Sequence, residues 1–218
     1  MSVVNSSLKV NEIFLSIQGE GTRAGTPCVI IRLTGCNLRC SWCDTGYARN
    51  QGRRMSIDQV LARIEPLACR LVAVTGGEPL LQPATPELLR RLCDTGYTAL
   101  LETNGSLDIS PVDHRVVKIV DFKCPASGQL ENNRWANLEQ LTQDDEVKFV
   151  IADREDYDFA RQSVAARNIT ALCTVMFAPV HGRLDPAILA QWILADSLDV
   201  RLSMQLHRII WPDRDRQV

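Results

Sequence analysis

The sequence predicts an α/β fold, a partial or modified (β/α) barrel of about six parallel strands with an N-terminal β-hairpin extension. Three observations lead there. From residue 28 onward, short apolar or β-branched runs alternate with amphipathic segments. Several runs end at Gly, Asn, Asp or Pro, and the unusual loops follow runs, at the strand ends where parallel sheets keep their chemistry. With 218 residues and 45% hydrophobic composition the chain can fill one sizeable core, so residues 1–218 read as a single domain.

The elements follow in order. "NEIFLSIQGEGTRAGTPCVIIRL", residues 11–33, reads as strand, glycine-rich turn and strand. Strands are expected at 28–35, 70–77, 98–105, 115–123, 146–153, 172–179 and 200–207. Helices are expected at 56–64, 85–96, 136–142, 155–168 and 185–197. Ser56, Thr85 and Asp185 read as N-caps, the last two followed by Pro, and Gly96 as a helix terminator.

Composition excludes several function classes. The 24 basic residues against 26 acidic ones leave no excess charge for a dedicated nucleic-acid binder. A metal-stabilised tRNA-binding module would want a basic face with aromatic side chains, and only 6% of residues are aromatic. The N-terminus has no apolar run of signal-peptide length, and no stretch approaches about 18 apolar residues, so no membrane partner and a cytoplasmic location are expected. Eight cysteines are too few for a disulfide scaffold; Cys28, Cys69, Cys93, Cys124 and Cys173 are scattered and read as small buried hydrophobes.

The other three cysteines are clustered. "GCNLRCSWCDT" carries Cys36, Cys40 and Cys43 in a C-x3-C-x2-C loop, with Gly35 relieving crowding where it leaves its strand. Zinc would need a fourth ligand, and His114, the nearest histidine in sequence, is remote. Thiol redox chemistry ordinarily uses C-x2-C beside a βαβ unit, which leaves one cysteine unexplained. A [4Fe–4S] cluster held by three cysteines keeps one iron open to a substrate or cosubstrate, the logic of catalytic metal sites. After the next strand, "TGGEP" supplies Gly76 and Gly77 for close backbone approach and Glu78 as an acceptor for an ammonium group.

The cysteine loop followed by "TGGEP" resembles the radical S-adenosylmethionine enzymes. That resemblance implies that S-adenosylmethionine chelates the open iron through its amino and carboxylate groups. Cleavage of its sulfonium by one electron then gives a 5′-deoxyadenosyl radical. "EIFLSIQGEGTRAGTPCVIIRLTGCNLRCSWCDT", "ETNG", "DFKCPASG" and "QLHRIIW" are similar to the 7-carboxy-7-deazaguanine synthase family over essentially the whole chain. This implies ring contraction of 6-carboxy-5,6,7,8-tetrahydropterin with loss of ammonia, in 7-deazapurine (queuosine precursor) biosynthesis. Mg²⁺, a reducing electron donor such as flavodoxin or ferredoxin, and a homodimer are implied too. A second small radical enzyme, such as a glycyl-radical activase, would share the cysteine loop but has no use for the hairpin.

The resemblance also implies residue roles. Ile17, Gln18, Gly19, Arg32 and Thr75 match substrate contacts, with Arg32 suited to fork onto the substrate carboxylate. Trp42, Asp44, Gly77, Glu78, Asp121, Phe122, Lys123, Ala178, Pro179, Val180 and His181 match positions for S-adenosylmethionine. Cys36, Cys40 and Cys43 match the cluster ligands, and Thr45 the Mg²⁺ position. Some members have Ser-Pro-Lys where this chain has Asp121-Phe122-Lys123, Gln-Pro where it has Ala178-Pro179, and a chain end near Pro212, where it continues with "DRDRQV". His207 is read as local packing or capping, and His114 and Lys148 as surface or structural residues.

Overall fold

The structure is a computed structural model and describes residues 7–214 and 216–217. The first six residues, part of the N-terminal segment considered for targeting, lie outside the described residues. One sheet of nine strands carries the fold. Its strands are β1 (Ser7–Ile17), β2 (Pro27–Leu33), β3 (Arg53–Ser56), β4 (Leu71–Gly76), β5 (Thr98–Thr103), β6 (Val117–Phe122), β7 (Glu146–Ile151), β8 (Thr174–Pro179) and β9 (Arg201–Leu202). The order is β3-β1-β2-β4-β5-β6-β7-β8-β9. β1 pairs antiparallel with β2 and β3, whereas β2 and β4 through β9 run parallel. Among the described residues no ladder joins β9 back to β3, so the sheet is an open, partial barrel, as expected.

Helices α1 (Ile57–Ile64), α2 (Thr85–Asp94), α3 (Arg154–Ala166) and α4 (Pro186–Ala195) fill the crossovers, and α5 (Leu206–Ile210) follows β9. α1 begins in a capping box: the Gln59 N–H donates to Ser56 Oγ at 3.2 Å, and the Ser56 N–H donates to Gln59 Oε1 at 2.9 Å. Asp185 caps α4 by accepting from the Ala187 N–H at 2.8 Å. Gly96, with φ +82°, ends α2 in the left-handed conformation that glycine adopts without strain.

Four local expectations are corrected. Thr85 is inside α2 rather than capping it; its hydroxyl donates to the Pro79 carbonyl at 2.6 Å, because Pro79–Leu81 folds into a 3-10 turn beneath it. Residues 136–142 form no α-helix: Trp135–Gln140 is a 3-10 turn whose Trp135 ring stacks on Phe122, with centroids 4.4 Å apart. Of the run 200–207, only Arg201–Leu202 pairs as strand, and α5 takes its end. β3 was not anticipated, since its four residues carry no apolar alternation and are held by pairing with β1.

Strand alternation sorts the core into two layers. Val29, Ile31, Leu33, Val72, Val74 and Leu101 point outward and are buried under the helices in the main cluster. Cys28, Ile30, Ala73, Leu100, Val117, Ile119 and Met176 point inward with Phe14 to form a second, smaller cluster. The same phase carries Arg32, Thr75, Glu102, Asp121, Lys148 and Ala178 to the inner face, because each is an even number of residues along its strand from an inward residue or beside one in register.

Candidate active site

The inner polar faces, the cysteine loop and the hairpin turn surround one cavity of about 440 Å³, within the range of small-molecule sites. Among the sequence-predicted residues, Ile17, Gln18, Gly19, Arg32, Cys36, Cys40, Trp42, Cys43, Asp44, Thr45, Thr75, Gly77, Asp121, Lys123, Ala178, Pro179, Val180 and His181 line it. Glu78 and Phe122 do not.

Both exceptions have a physical reason. Glu78 is 0% exposed. Its Oε1 accepts from the Leu80 N–H at 2.9 Å, and its Oε2 from Thr103 Oγ1 at 2.9 Å and the Asn104 N–H at 2.7 Å. Burial pushes its carboxyl pKa up, against these donors, which favour the ion. Glu78 therefore braces the loops after β4 and β5 rather than offering an oxygen to a ligand. Phe122 points outward on β6 and packs between Trp135 and Phe149 in the main core.

The cysteine loop leaves β2 and is tied down at its flanks. The Gly35 N–H donates to the Ala48 carbonyl at 3.1 Å, and the Ser41 N–H and hydroxyl donate to Ser127 and Ala126 carbonyls at 3.2 and 2.9 Å. Asp156 holds that second loop, accepting from the Ala126 and Ala152 N–H groups at 2.9 Å each. Cys36 Sγ receives the Leu38 N–H at 3.4 Å and Asn104 Nδ2 at 3.8 Å, donors suited to a thiolate. Burial raises the Cys40 pKa, and Lys123 opposes that shift. A Cβ on Gly77 would meet the Gly35 carbonyl oxygen at 2.2 Å and Cys36 Cβ at 2.6 Å, so only glycine lets the "TGGEP" loop lie against the cysteine loop. Among the described residues no three Cys, His, Asp or Glu groups gather around a point that one ion could fill. A multi-iron cluster takes each cysteine at a separate iron, and Cys36, Cys40 and Cys43, brought to the same cavity by one compact loop, fit that demand.

The hairpin turn enters from the opposite end. β1 ends and β2 begins at the Ile17–Pro27 pair, so the turn lies at the N-terminal end of β2, away from the cysteine loop. It folds across the opening: the Leu206 N–H donates to the Gly19 carbonyl at 2.9 Å, and a Cβ on Gly19 would strike His207 Nδ1 at 2.3 Å. Gln18 is buried; its Oε1 accepts from the Gly19 N–H at 2.8 Å and its Nε2 donates to Glu102 Oε1 at 3.2 Å. Thr75 donates to the other oxygen of Glu102 at 2.8 Å. Arg32 is paired, as its apolar strand demands: Nε donates to Glu12 at 2.7 Å, and Tyr47 donates to the same oxygen at 2.9 Å.

Between these halves runs a chain of charges. Lys148 Nζ stands 2.6 Å from Glu20 Oε2 and 3.8 Å from Asp121 Oδ2, and Lys123 Nζ stands 2.9 Å from that same oxygen. Gln205 Nε2 donates to Glu20 Oε1 at 2.8 Å. Burial works to lower the Lys148 pKa, but Glu20, Asp121 and Glu102 outweigh it and hold the amine charged. Lys148 is therefore a cavity residue, which corrects its reading as surface or structural. Asp121 Oδ1 is buried with no hydrogen-bond partner, an acceptor left over for a ligand.

Sequence reasoning also missed Glu102, Asn104 and His207, all on the cavity wall. For Glu102 the available signal was polarity at an inward strand position, whereas Asn104 lies past the end of β5 and His207 in α5, where strand phase gives none. Polarity is ambiguous alone: Lys118, also in an apolar strand, points outward and pairs with Asp145 at 3.0 Å.

Residues 30–123 match the model of the radical SAM superfamily. A 7-carboxy-7-deazaguanine synthase of Koribacter versatilis is 44% identical, over 97% of this chain and 100% of its own length. One of Chlorobaculum tepidum is 45% identical, over 94% of this chain and 96% of its own. The crystal structure of QueE from Escherichia coli superposes with a TM-score of 0.73 at 22% identity, covering 91% of this chain and 94% of that one, a likeness of fold. Such identity over nearly the full length of both chains, on a cavity that joins three cysteines to a glycine-bearing strand end, decides the family: the chain belongs to the 7-carboxy-7-deazaguanine synthases of the radical SAM superfamily.

Proposed function

We infer that the chain converts 6-carboxy-5,6,7,8-tetrahydropterin to 7-carboxy-7-deazaguanine, releasing ammonia, with a [4Fe–4S] cluster and S-adenosylmethionine as cofactors. The observation that carries this reading is the shared cavity, in which the three-cysteine wall faces the hairpin turn and Arg32. When bound, the cluster supplies the electron that cleaves S-adenosylmethionine, whose nucleoside part abstracts the substrate hydrogen.

The chain's own residues do the holding. Cys36, Cys40 and Cys43 would hold the cluster, and Gly77, which lies against the cysteine loop, would leave room there for the amino-acid part of the cofactor. Asp121 offers its unmatched oxygen and Lys123 its charge beside the cysteines, while Trp42, Asp44 and the stretch Ala178–His181 border the nucleoside. Phe122 contributes only backbone there, and Glu78 acts through Asn104. On the substrate side, Glu12 occupies Nε of Arg32, which leaves the two-nitrogen edge of the guanidinium for the pterin carboxylate. Gln18, Thr75 and Glu102, already hydrogen-bonded together, present fixed donors and acceptors to the pterin ring. Thr45 lies two residues after the last cysteine, and its hydroxyl caps no turn; we assign it to Mg²⁺, whose remaining ligands would be water and substrate oxygen.

A homodimer, a flavodoxin or ferredoxin as reductant and a cytoplasmic location belong to the same proposal. No helix among the described residues is long and apolar enough to cross a membrane. The test is anaerobic turnover of the iron-reconstituted, reduced chain with the pterin, followed by chromatographic detection of the deazaguanine and of ammonia. Cleavage of S-adenosylmethionine with the pterin left intact would refute the substrate assignment and favour an activase.

A further inference from the structure

At the N-terminal end of β7, on its inner face, the strand holds the hairpin turn at a second point. Glu146 opens β7 two residues before Lys148, on the same face. It is 1% exposed, yet it bonds to an exposed turn: its Oε1 accepts from the Thr22 N–H at 3.1 Å and from the Thr22 hydroxyl. Arg23 Nη1 stands 3.8 Å from the same oxygen. Oε2 is buried without a hydrogen-bond partner and faces Gly21, where a Cβ would come within 2.5 Å of it. Gly21 itself has φ +79°, so the turn is shaped to admit this carboxylate.

Sheet stability does not explain such a residue. An apolar β-branched side chain would fill the position without burying a charge that has one oxygen unmatched. What the carboxylate fixes is the turn. Glu146 holds residue 22 and Lys148 holds Glu20 at 2.6 Å, and directly before them lie Ile17, Gln18 and Gly19. On the other side Leu206 holds Gly19.

We propose that Glu146 is a positioning residue for substrate: acting with Lys148 from across the half-barrel, it pins residues 20–22 to β7 and so sets where Ile17–Gly19 meet the pterin. The role in catalysis rests on the pterin reading; the clamp itself does not. Holoenzyme carrying Glu146→Ala, Glu146→Gln or Thr22→Val is compared with the unaltered chain. Glu146→Ala raises the pterin KM about tenfold, the weight of a charge-assisted hydrogen bond, with kcat within about twofold. The change that S-adenosylmethionine induces in the electron paramagnetic resonance spectrum of the reduced cluster stays as it was. Glu146→Gln, whose carbonyl oxygen still accepts from Thr22, restores most of the affinity. Thr22→Val, at an exposed position that does not threaten folding, raises KM by about threefold.

Unaltered KM in both Thr22→Val and Glu146→Ala overturns the proposal, as does joint loss of pterin affinity and the spectral response in Glu146→Ala. If Glu146→Ala does not fold, Thr22→Val decides. Amide hydrogen exchange gives a reading independent of substrate: the Gln18 and Gly25 N–H groups, bonded across the turn at 2.8 and 2.9 Å, exchange faster when the clamp is cut. A chain that leaves pterin untouched fails the functional reading, while unchanged exchange in Thr22→Val fails the clamp.

Discussion

Replacing Lys148 with Met tests whether the charge chain was read correctly. The substitution keeps an unbranched side chain one atom shorter and removes its charge, so Glu20 and Asp121 lose the cation at 2.6 and 3.8 Å. Breaking an enclosed ion pair from one side costs about 3–5 kcal/mol. Both partners keep some water contact, at 16% and 19% of side-chain surface, which places this pair near the lower end, about 3 kcal/mol. In a chain of 218 residues each kcal/mol moves Tm by about 2–4 °C, so a drop of about 6–12 °C is expected at neutral pH. The sign of the pH dependence follows from Glu20. Burial favours its neutral form, but Lys148 and Gln205 win and lower its pKa in the folded chain. That stabilisation is complete above the unfolded carboxyl pKa, near ~4.3, and is lost as pH falls through the lower folded value. In Lys148→Met only Gln205 and His207 are left to oppose burial, so the Tm gap between the two proteins is widest near pH 7 and narrows toward pH 4. Anaerobic thermal unfolding followed by circular dichroism at several pH values measures it. A Tm within about 1 °C of the unaltered chain, or a gap that does not narrow in acid, would refute the reasoning.

Three further substitutions test other parts of the site. Gly77→Ala places a methyl group 2.2 Å from the Gly35 carbonyl oxygen and should displace the cysteine loop, seen as loss of bound iron and of the brown colour after anaerobic reconstitution. Iron retained in full would show that the close approach is dispensable. Glu78→Gln turns one of three acceptor contacts into a clash of donors and should cost about 1–3 kcal/mol, read as a Tm lowered by several degrees. Thr45→Ala should keep the iron and abolish the response of turnover to Mg²⁺; an intact response sinks the assignment of that hydroxyl.

The cysteine loop was legible because its information is local: three thiols within eight residues need one another and little else. "TGGEP" was half legible. Its glycines pack closely against Leu33 and the cysteine loop, and Glu78 is spent on Leu80 and on Thr103 and Asn104, the latter two from another strand end that no local reading could supply. Phe122 was misplaced for a related reason: next to Asp121 in sequence, it points to the opposite side of the sheet. Lys148 and Lys118 look alike in their strands, and only registration against neighbours puts one in the cavity and the other under the outer layer.

By itself, then, the sequence determined the alternation of strands and helices, the hairpin and the chemistry of the cysteine loop. Each is set by side-chain periodicity, capping or ligand spacing over a dozen residues or so. Tertiary structure alone decided which polar side chains face one another across the half-barrel. The pairing of Glu20 with Lys148 or of Thr22 with Glu146 joins residues more than a hundred positions apart, and depends on strand phase and on how the open sheet curls.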